Sequence, residues 1–110
     1  MINVSILYPF KEGGHFDLDY YLKTHMPLSI EKLRPALRGV SIEHGLGAAG
    51  SDAPPAFTVI CQLRFDSVEA FFEVFSPHAE WLQGDIKNYT DLDPVIQFSE
   101  VKLLEQSLMP

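Results

Sequence analysis

Tyr21, His25 and Pro27 are the residues whose types and spacing come nearest to chemistry. Leu18, Tyr21, Leu22 and His25 fall at i, i+3, i+4 and i+7, so they share one face of a helix. Three of them belong in a core, which places an imidazole and a phenol at its edge. A histidine in a partly dry, hydrogen-bonded place can take or give a proton near neutral pH. Pro27 has no backbone donor and disfavours helix at Met26. The helix is therefore expected to kink or stop near His25 and Met26, leaving carbonyls without amide partners and room for a polar cavity. A helix C-terminus there would favour the charged imidazole. The plainer reading is a structural histidine capping the broken helix. The sequence leaves both readings open.

Other residues of these types give weaker patterns. His15, His44 and His78 share no short ligand spacing with His25 or each other, so no metal site is expected. His78 follows Pro77 at a second helix break, and Asn88 and Tyr89 lie in the loop beyond. These groups either cap and pack locally or approach the first site. Cys61 is the only cysteine, which excludes an internal disulfide. It sits in an apolar run and reads as a buried, inert thiol. Gly45-Leu46-Gly47-Ala48-Ala49-Gly50 matches G-x-G-x-x-G. A dinucleotide site needs a helix to open there, and Pro54-Pro55 prevents one. A flexible hairpin-type loop is the better reading.

Composition narrows the class. The 110 residues suit a single domain over 1–110, with 46% hydrophobic and 21% charged residues. A net charge of −7 with 8 Lys and Arg offers no surface for phosphates, so neither nucleic acid nor an anionic membrane is an expected partner. No apolar stretch approaches the ~20 residues that span a bilayer. The N-terminus lacks a signal-peptide pattern, so a cytoplasmic location is expected.

The elements that must position these groups follow from periodicity. Ile2, Val4, Ile6 and Tyr8 alternate with polar residues as a half-buried strand. Asp17 is the expected cap of the first helix, with Phe16 and Tyr21 as its hydrophobic staple and Asp19–Lys23 as an i,i+4 pair. Helix restarts from Pro27 with Ile30 and Leu33. Residues 37–44 and 57–65 are expected strands. Asp66 with Glu69 reads as the second cap, before the stripe Val68, Phe71, Phe72 and Phe75. Pro77 interrupts that helix, and Trp81 and Leu82 add a turn ended by Gly84. Residues 85–93 read as a polar loop and 95–104 as the last strand. The order βαββαβ is the split β-α-β pattern, an α+β fold with a four-stranded antiparallel sheet and helices on one face. The other face carries Asn3, Ser5, Ser41, Glu43, Thr58, Ile60, Gln62 and Arg64. Its few charges and small residues suit a homodimer contact; alternation to solvent is the other possibility.

Longer segments carry a resemblance. Met1–Pro9, then Phe16-Asp17-Leu18-Asp19-Tyr20-Tyr21-Leu22-Lys23-Thr24-His25-Met26-Pro27-Leu28, resembles the signature of the EthD (ethyl tert-butyl ether degradation) family. So do Phe65-Asp66-Ser67-Val68-Glu69-Ala70-Phe71 and Gly84-Asp85-Ile86-Lys87-Asn88-Tyr89-Thr90-Asp91 running into Pro94-Val95-Ile96-Gln97. Tyr-Tyr-Leu-x-x-His-Met-Pro-Leu is the specific part, and Lys87 stands where many relatives have proline. The resemblance implies a ferredoxin-like fold that dimerises into an α/β barrel. Its wider superfamily holds monooxygenases without a bound cofactor, isomerases, dehydratases and haem-dependent relatives. Carried over, Tyr21 and His25 match the signature as catalytic residues, and His78 and Tyr89 match the later motif as substrate-binding residues. No cofactor and no metal are expected.

Two functions compete. One is a cofactor-independent enzyme of ether or related catabolism, in which His25 shuttles a proton on a small organic molecule and Tyr21 orients it. The other is a non-catalytic accessory that binds a small molecule or supports a monooxygenase system, since fold alone does not fix chemistry. Haem binding through a histidine is a third, weaker option.

Overall fold

The computed structural model describes residues 1–105. The last five residues of the 1–110 unit expected from the sequence lie outside the described residues. Four strands, β1 (Ile2–Pro9), β2 (Gly39–His44), β3 (Phe57–Phe65) and β4 (Val95–Glu100), form one sheet in the order β2-β3-β1-β4. All neighbouring pairs are antiparallel. The helices are α1 (Leu18–Tyr20), α2 (Met26–Leu33), α3 (Val68–Phe75) and α4 (Ala79–Gly84). This is the ferredoxin-like α+β arrangement.

Period-two patterning sets the register. Val4 pairs with Leu63 and Tyr8 with Val59, which puts the apolar sets of β1 and β3 on one face. Val59, Cys61 and Phe65 are completely buried there under the helices. Two strand boundaries are tighter than expected. Leu37 belongs to the turn that closes α2 rather than opening β2, because the amides of Ala36 and Leu37 both donate to the Leu33 carbonyl. β4 stops at Glu100 because its ladder partner, β1, begins at Ile2.

Asp17 caps α1 by accepting from the Tyr20 amide at 3.0 Å. Phe16 and Tyr21 pack edge-on at 5.1 Å, as the staple requires. The helix then passes through Pro27 without ending. Tyr21–His25 forms a π turn in which the Met26 amide donates to the Tyr21 carbonyl, and α2 follows directly. The wider turn absorbs the donor that Pro27 lacks. The Ser29 hydroxyl donates to the His25 carbonyl at 2.7 Å. The expected break is thus a bulge, and His25 does not sit at a helix C-terminus.

The cap of α3 also differs from expectation. Ser67 accepts from the Ala70 amide at 3.0 Å, while Asp66 pairs with Arg38, whose Nη2 donates to it at 3.0 Å. Ser67 is extended and places its hydroxyl over the first turn. Asp66, one residue earlier, is too far back to do so. Ser67→Ala is expected to cost about 1 kcal/mol, read by urea unfolding, with Asp66→Ala nearly neutral.

Residues 85–93 are not a solvated loop. Ile86–Asn88 form a 3-10 turn, and Tyr89, Thr90 and Leu92 are buried. The segment is stitched to the start of the first helix. The Asp17 amide donates to the Tyr89 carbonyl at 2.7 Å, and the Thr90 hydroxyl donates to the His15 carbonyl at 2.6 Å. The glycine-rich stretch after β2 opens no helix. A Cβ on Gly45 would meet the Phe57 carbonyl, so this glycine serves the close approach of β2 to β3.

Candidate active site

His25 is buried, and a ring of aromatic groups surrounds it. Its imidazole stacks on Tyr21, four residues back, with ring centres 5.5 Å apart, and on Trp81 of α4 at 5.6 Å. Tyr89 stands at 4.7 Å, tilted. The π turn and α4 therefore bring together residues more than fifty positions apart.

The polar partner of His25 is Asp85, which caps the end of α4. Nδ1 of His25 lies 2.8 Å from Oδ2 of Asp85. The other carboxylate oxygen accepts from the Tyr20 hydroxyl at 2.8 Å and from the Asn88 amide at 2.9 Å. Burial tends to raise the Asp85 carboxyl, but hydrogen bonds from Asn88, His25 and Tyr20 together hold it below its ordinary value. Burial pulls His25 below its ordinary value despite the opposing pull of Asp85. At neutral pH the pair is a neutral imidazole donating to a carboxylate. An ionised carboxylate only accepts, so the ring proton is on Nδ1 and the Nε2 lone pair is free. No side chain among the described residues bonds Nε2.

His25 borders a cavity of about 70 Å³ between helices and sheet. The walls are mostly apolar, with Val4, Ile6, Met26, Leu63 and Phe71 among them. Tyr8, Tyr21 and Tyr89 are the phenols that reach it. The hydroxyls of Tyr8 and Tyr89 lie 2.7 Å apart and bond each other. Burial pushes Tyr8 up to about 12, and raises Tyr21 and Tyr89 further. All three stay neutral hydroxyls. Cys61 also lines the wall, with its thiol pushed up to about 11 by burial.

Of the residues singled out in the sequence, the fold gathers Tyr21, His25 and Tyr89 at one cavity. His78 is placed elsewhere. It ends the 3-10 turn Ser76–His78 and does not line this cavity. The cavity itself is drier than a break in the helix would have made it. Asp85, Tyr20, Trp81 and Tyr8 are the participants that sequence reasoning overlooked. Asp85 stands inside the Gly84–Asp91 motif, which is the one hint the sequence held.

A family model described as the EthD domain matches residues 16–93, a span that starts at the staple and ends past the buried loop. This chain belongs to the EthD family. An EthD-like protein from Ralstonia eutropha JMP134 is 41% identical, with a TM-score of 0.90 over 94% of each chain. An EthD family protein from Bacillus halodurans C-125 is 20% identical, with a TM-score of 0.72 over 92% of this chain and 98% of that one. A dimeric ferredoxin-like protein from an uncultured marine organism shares the fold at 14% identity, with a TM-score of 0.59 over 96% of this chain and 98% of that one. Among curated proteins none matches. In this EthD protein no group of three or more metal-ligating side chains gathers among the described residues. No helix there is long and apolar enough to cross a membrane.

Haem binding through a histidine, the weakest of the options read from the sequence, is a question of fit. At about 10–15 Å³ for each water-sized occupant, the cavity takes about five to seven non-hydrogen atoms. A porphyrin is many times larger. The residues present do not fit a haem.

Proposed function

We propose that this EthD protein transfers a proton on a small, mostly apolar organic molecule, with His25 as the acid–base group. The bond between Nδ1 of His25 and Asp85 carries this reading. It fixes the ring tautomer and leaves Nε2 as the base beside a cavity. Tyr21 covers one side of the imidazole and Tyr89 stands close to it, so both touch whatever enters. His78 has no part in this site. Asp85 is a positioning residue: it acts on the substrate only through His25.

The substrate is small on grounds of volume, and the name of the B. halodurans relative refers to ethyl tert-butyl ether, a molecule of that scale. A role in breaking down ethers or related foreign compounds is the setting we infer. The working unit is a homodimer joined through the open sheet face. There Leu7 and Ile60 are half-buried, and Nε of Arg64 is buried without a hydrogen-bond partner among the described residues. A marine relative of the same fold is named as dimeric. The free thiol of Cys61 fits a reducing compartment, the cytoplasm.

The test is isotope exchange. The protein, incubated in D₂O with small ketones, lactones and phenols, is expected to place deuterium in at least one of them, as read by mass spectrometry. A panel that binds saturably without exchange or turnover would instead identify a non-catalytic accessory.

A further inference from the structure

We infer that the substrate carries an extended alkyl tail. Its small reacting end fills the cavity at His25, and the tail leaves between α4 and β4, past Ile96 and along Phe98 and Phe72. This rests on the cavity beside His25 as the reaction site and names the rest of the molecule that it takes.

The cavity has a mouth, and its place follows from exposure. Ile96 lines the cavity and is 47% exposed, and Gln83 lines it and is exposed too. Phe75, Ile86 and Pro94, also on the wall, are half-buried. The opening therefore lies between the end of α4 and β4, with a rim that is apolar except for the Gln83 amide. The enclosed part takes about five to seven non-hydrogen atoms. Counted with the open space at its mouth, the hollow measures about 620 Å³. That is the size of a site for a larger ligand.

Beyond the rim the surface stays apolar in one direction. Phe98 and Phe72 are 41% and 44% exposed, and their rings lie 5.7 Å apart. Both touch Phe71, itself a cavity wall, with ring centres at 5.5 and 5.0 Å. Ile96 and Phe98 stand opposite Ile6 and Val4, so they share one face of β4 and form a strip that starts at the rim. β4 is the edge strand, which leaves the outer side of the strip open. A contiguous apolar strip of this kind marks a place where something binds. A second copy joined through the open sheet face does not cover it, because Ile96 and Phe98 point to the helix side with Val4. A tail that leaves the cavity does cover it. In the other direction, past Gln83, an alkyl chain would lie between Lys87 and Asp93 and lose contact with apolar groups.

The straight-chain alcohols from butanol to octanol test this. They carry no activated C–H, so they report binding alone, read by NMR titration of methyl resonances. In the wild type each methylene is expected to tighten binding by about two- to fourfold. The rise should continue past hexanol, which already fills the enclosed part. In the double variant Phe72→Gln/Phe98→Thr it should stop at hexanol, with the affinity for butanol unchanged. The terminal methyl of octanol is expected to give NOEs to the rings of Phe72 and Phe98 in the wild type, a reading that needs no variant. A rise that ends at hexanol in the wild type would overturn the tail subsite, as would one past hexanol that survives the double variant. So would NOEs to the Lys87 side chain instead, or failure of the alcohols to bind. A wild-type dimer that turns monomeric in the double variant would assign the strip to a second copy and overturn the proposal as well. Tail binding without deuterium exchange in any ketone, lactone or phenol would keep the subsite and sink the proton transfer, which separates the two readings.

Discussion

His25→Gln is expected to lower the exchange or turnover rate by about 10²–10⁴-fold, the usual range for removing a general acid–base group. Glutamine is the informative replacement. Its amide can still donate to Asp85, so the carboxylate keeps a partner and the fold survives. Its side chain has no basic lone pair to take a proton. The effect should fall on kcat, with substrate affinity nearly unchanged, because the tyrosine hydroxyls remain. A rate within threefold or so of the wild type would remove His25 from the chemistry. The pH profile adds a second check. The reactive form is the neutral imidazole, so the wild-type rate should drop as pH falls through a value below about 6.5, the ordinary histidine value. Asp85→Asn removes the charge that opposes desolvation, so this drop should move to still lower pH.

Asp85→Ala is expected to cost about 3 kcal/mol of stability, because the ionised acceptor of three donors is removed and the buried imidazole N–H is left without a partner. Three donors lose their acceptor together: the ring N–H of His25, the hydroxyl of Tyr20 and the amide of Asn88. For a domain of this size the melting temperature should fall by about 12 °C or more. The dependence on pH has a definite sign. The folded-state value of Asp85 lies below its unfolded one, so its contribution is full above about pH 4 and is lost as pH falls through the folded value. His25 is also lowered. The folded state favours its neutral form, and stability declines as pH drops below about 6.5. Without the carboxylate His25 is lowered further, so the gap between variant and wild type should widen from pH 7 to pH 5. It should narrow again below pH 4, where the wild type protonates Asp85. Urea unfolding at pH 7, 5 and 3.5 measures this. A gap that is flat across that range would mean that Asp85 is not ionised against His25.

Local patterns carried the frame of this molecule into its sequence. Alternation in residues 2–8 and 57–65, the Asp17 cap and the Phe16–Tyr21 staple are interactions between near neighbours, and they are legible for that reason. Pro27 marked the right place in the first helix but not the outcome. A missing donor says that the hydrogen-bond ladder must change there, and tertiary packing decides between a break and a bulge. Asp66 and Ser67 are both good capping types, and the extended backbone at Ser67, which sets its hydroxyl over the first turn, decides between them. The site was half legible. Tyr21 and His25 announce each other by helical spacing, and Tyr89 by the motif around it. Asp85 lies 60 positions from His25. Beyond the motif it stands in, nothing near it in the chain distinguishes it from a solvated loop acid until the sheet brings the two helices side by side. His78 shows the converse. A proline and a histidine close together in a helix look alike in both halves of the chain, and only the first histidine faces the cavity.

The π turn at Tyr21–His25 amounts to one extra residue carried inside a helix. Each residue advances a helix by about 100°. Deleting one position there would leave an ordinary, better-bonded helix, and would swing its two halves out of phase. Either the Asp17 and Phe16 end would lose its seat on the sheet, or His25 would turn away from Asp85 while the strands stayed as they are. The bulge thus acts as a phase marker between anchor and base. The length of this segment is accordingly expected to tolerate insertion and deletion far less than the identity of its outward-facing residues tolerates change.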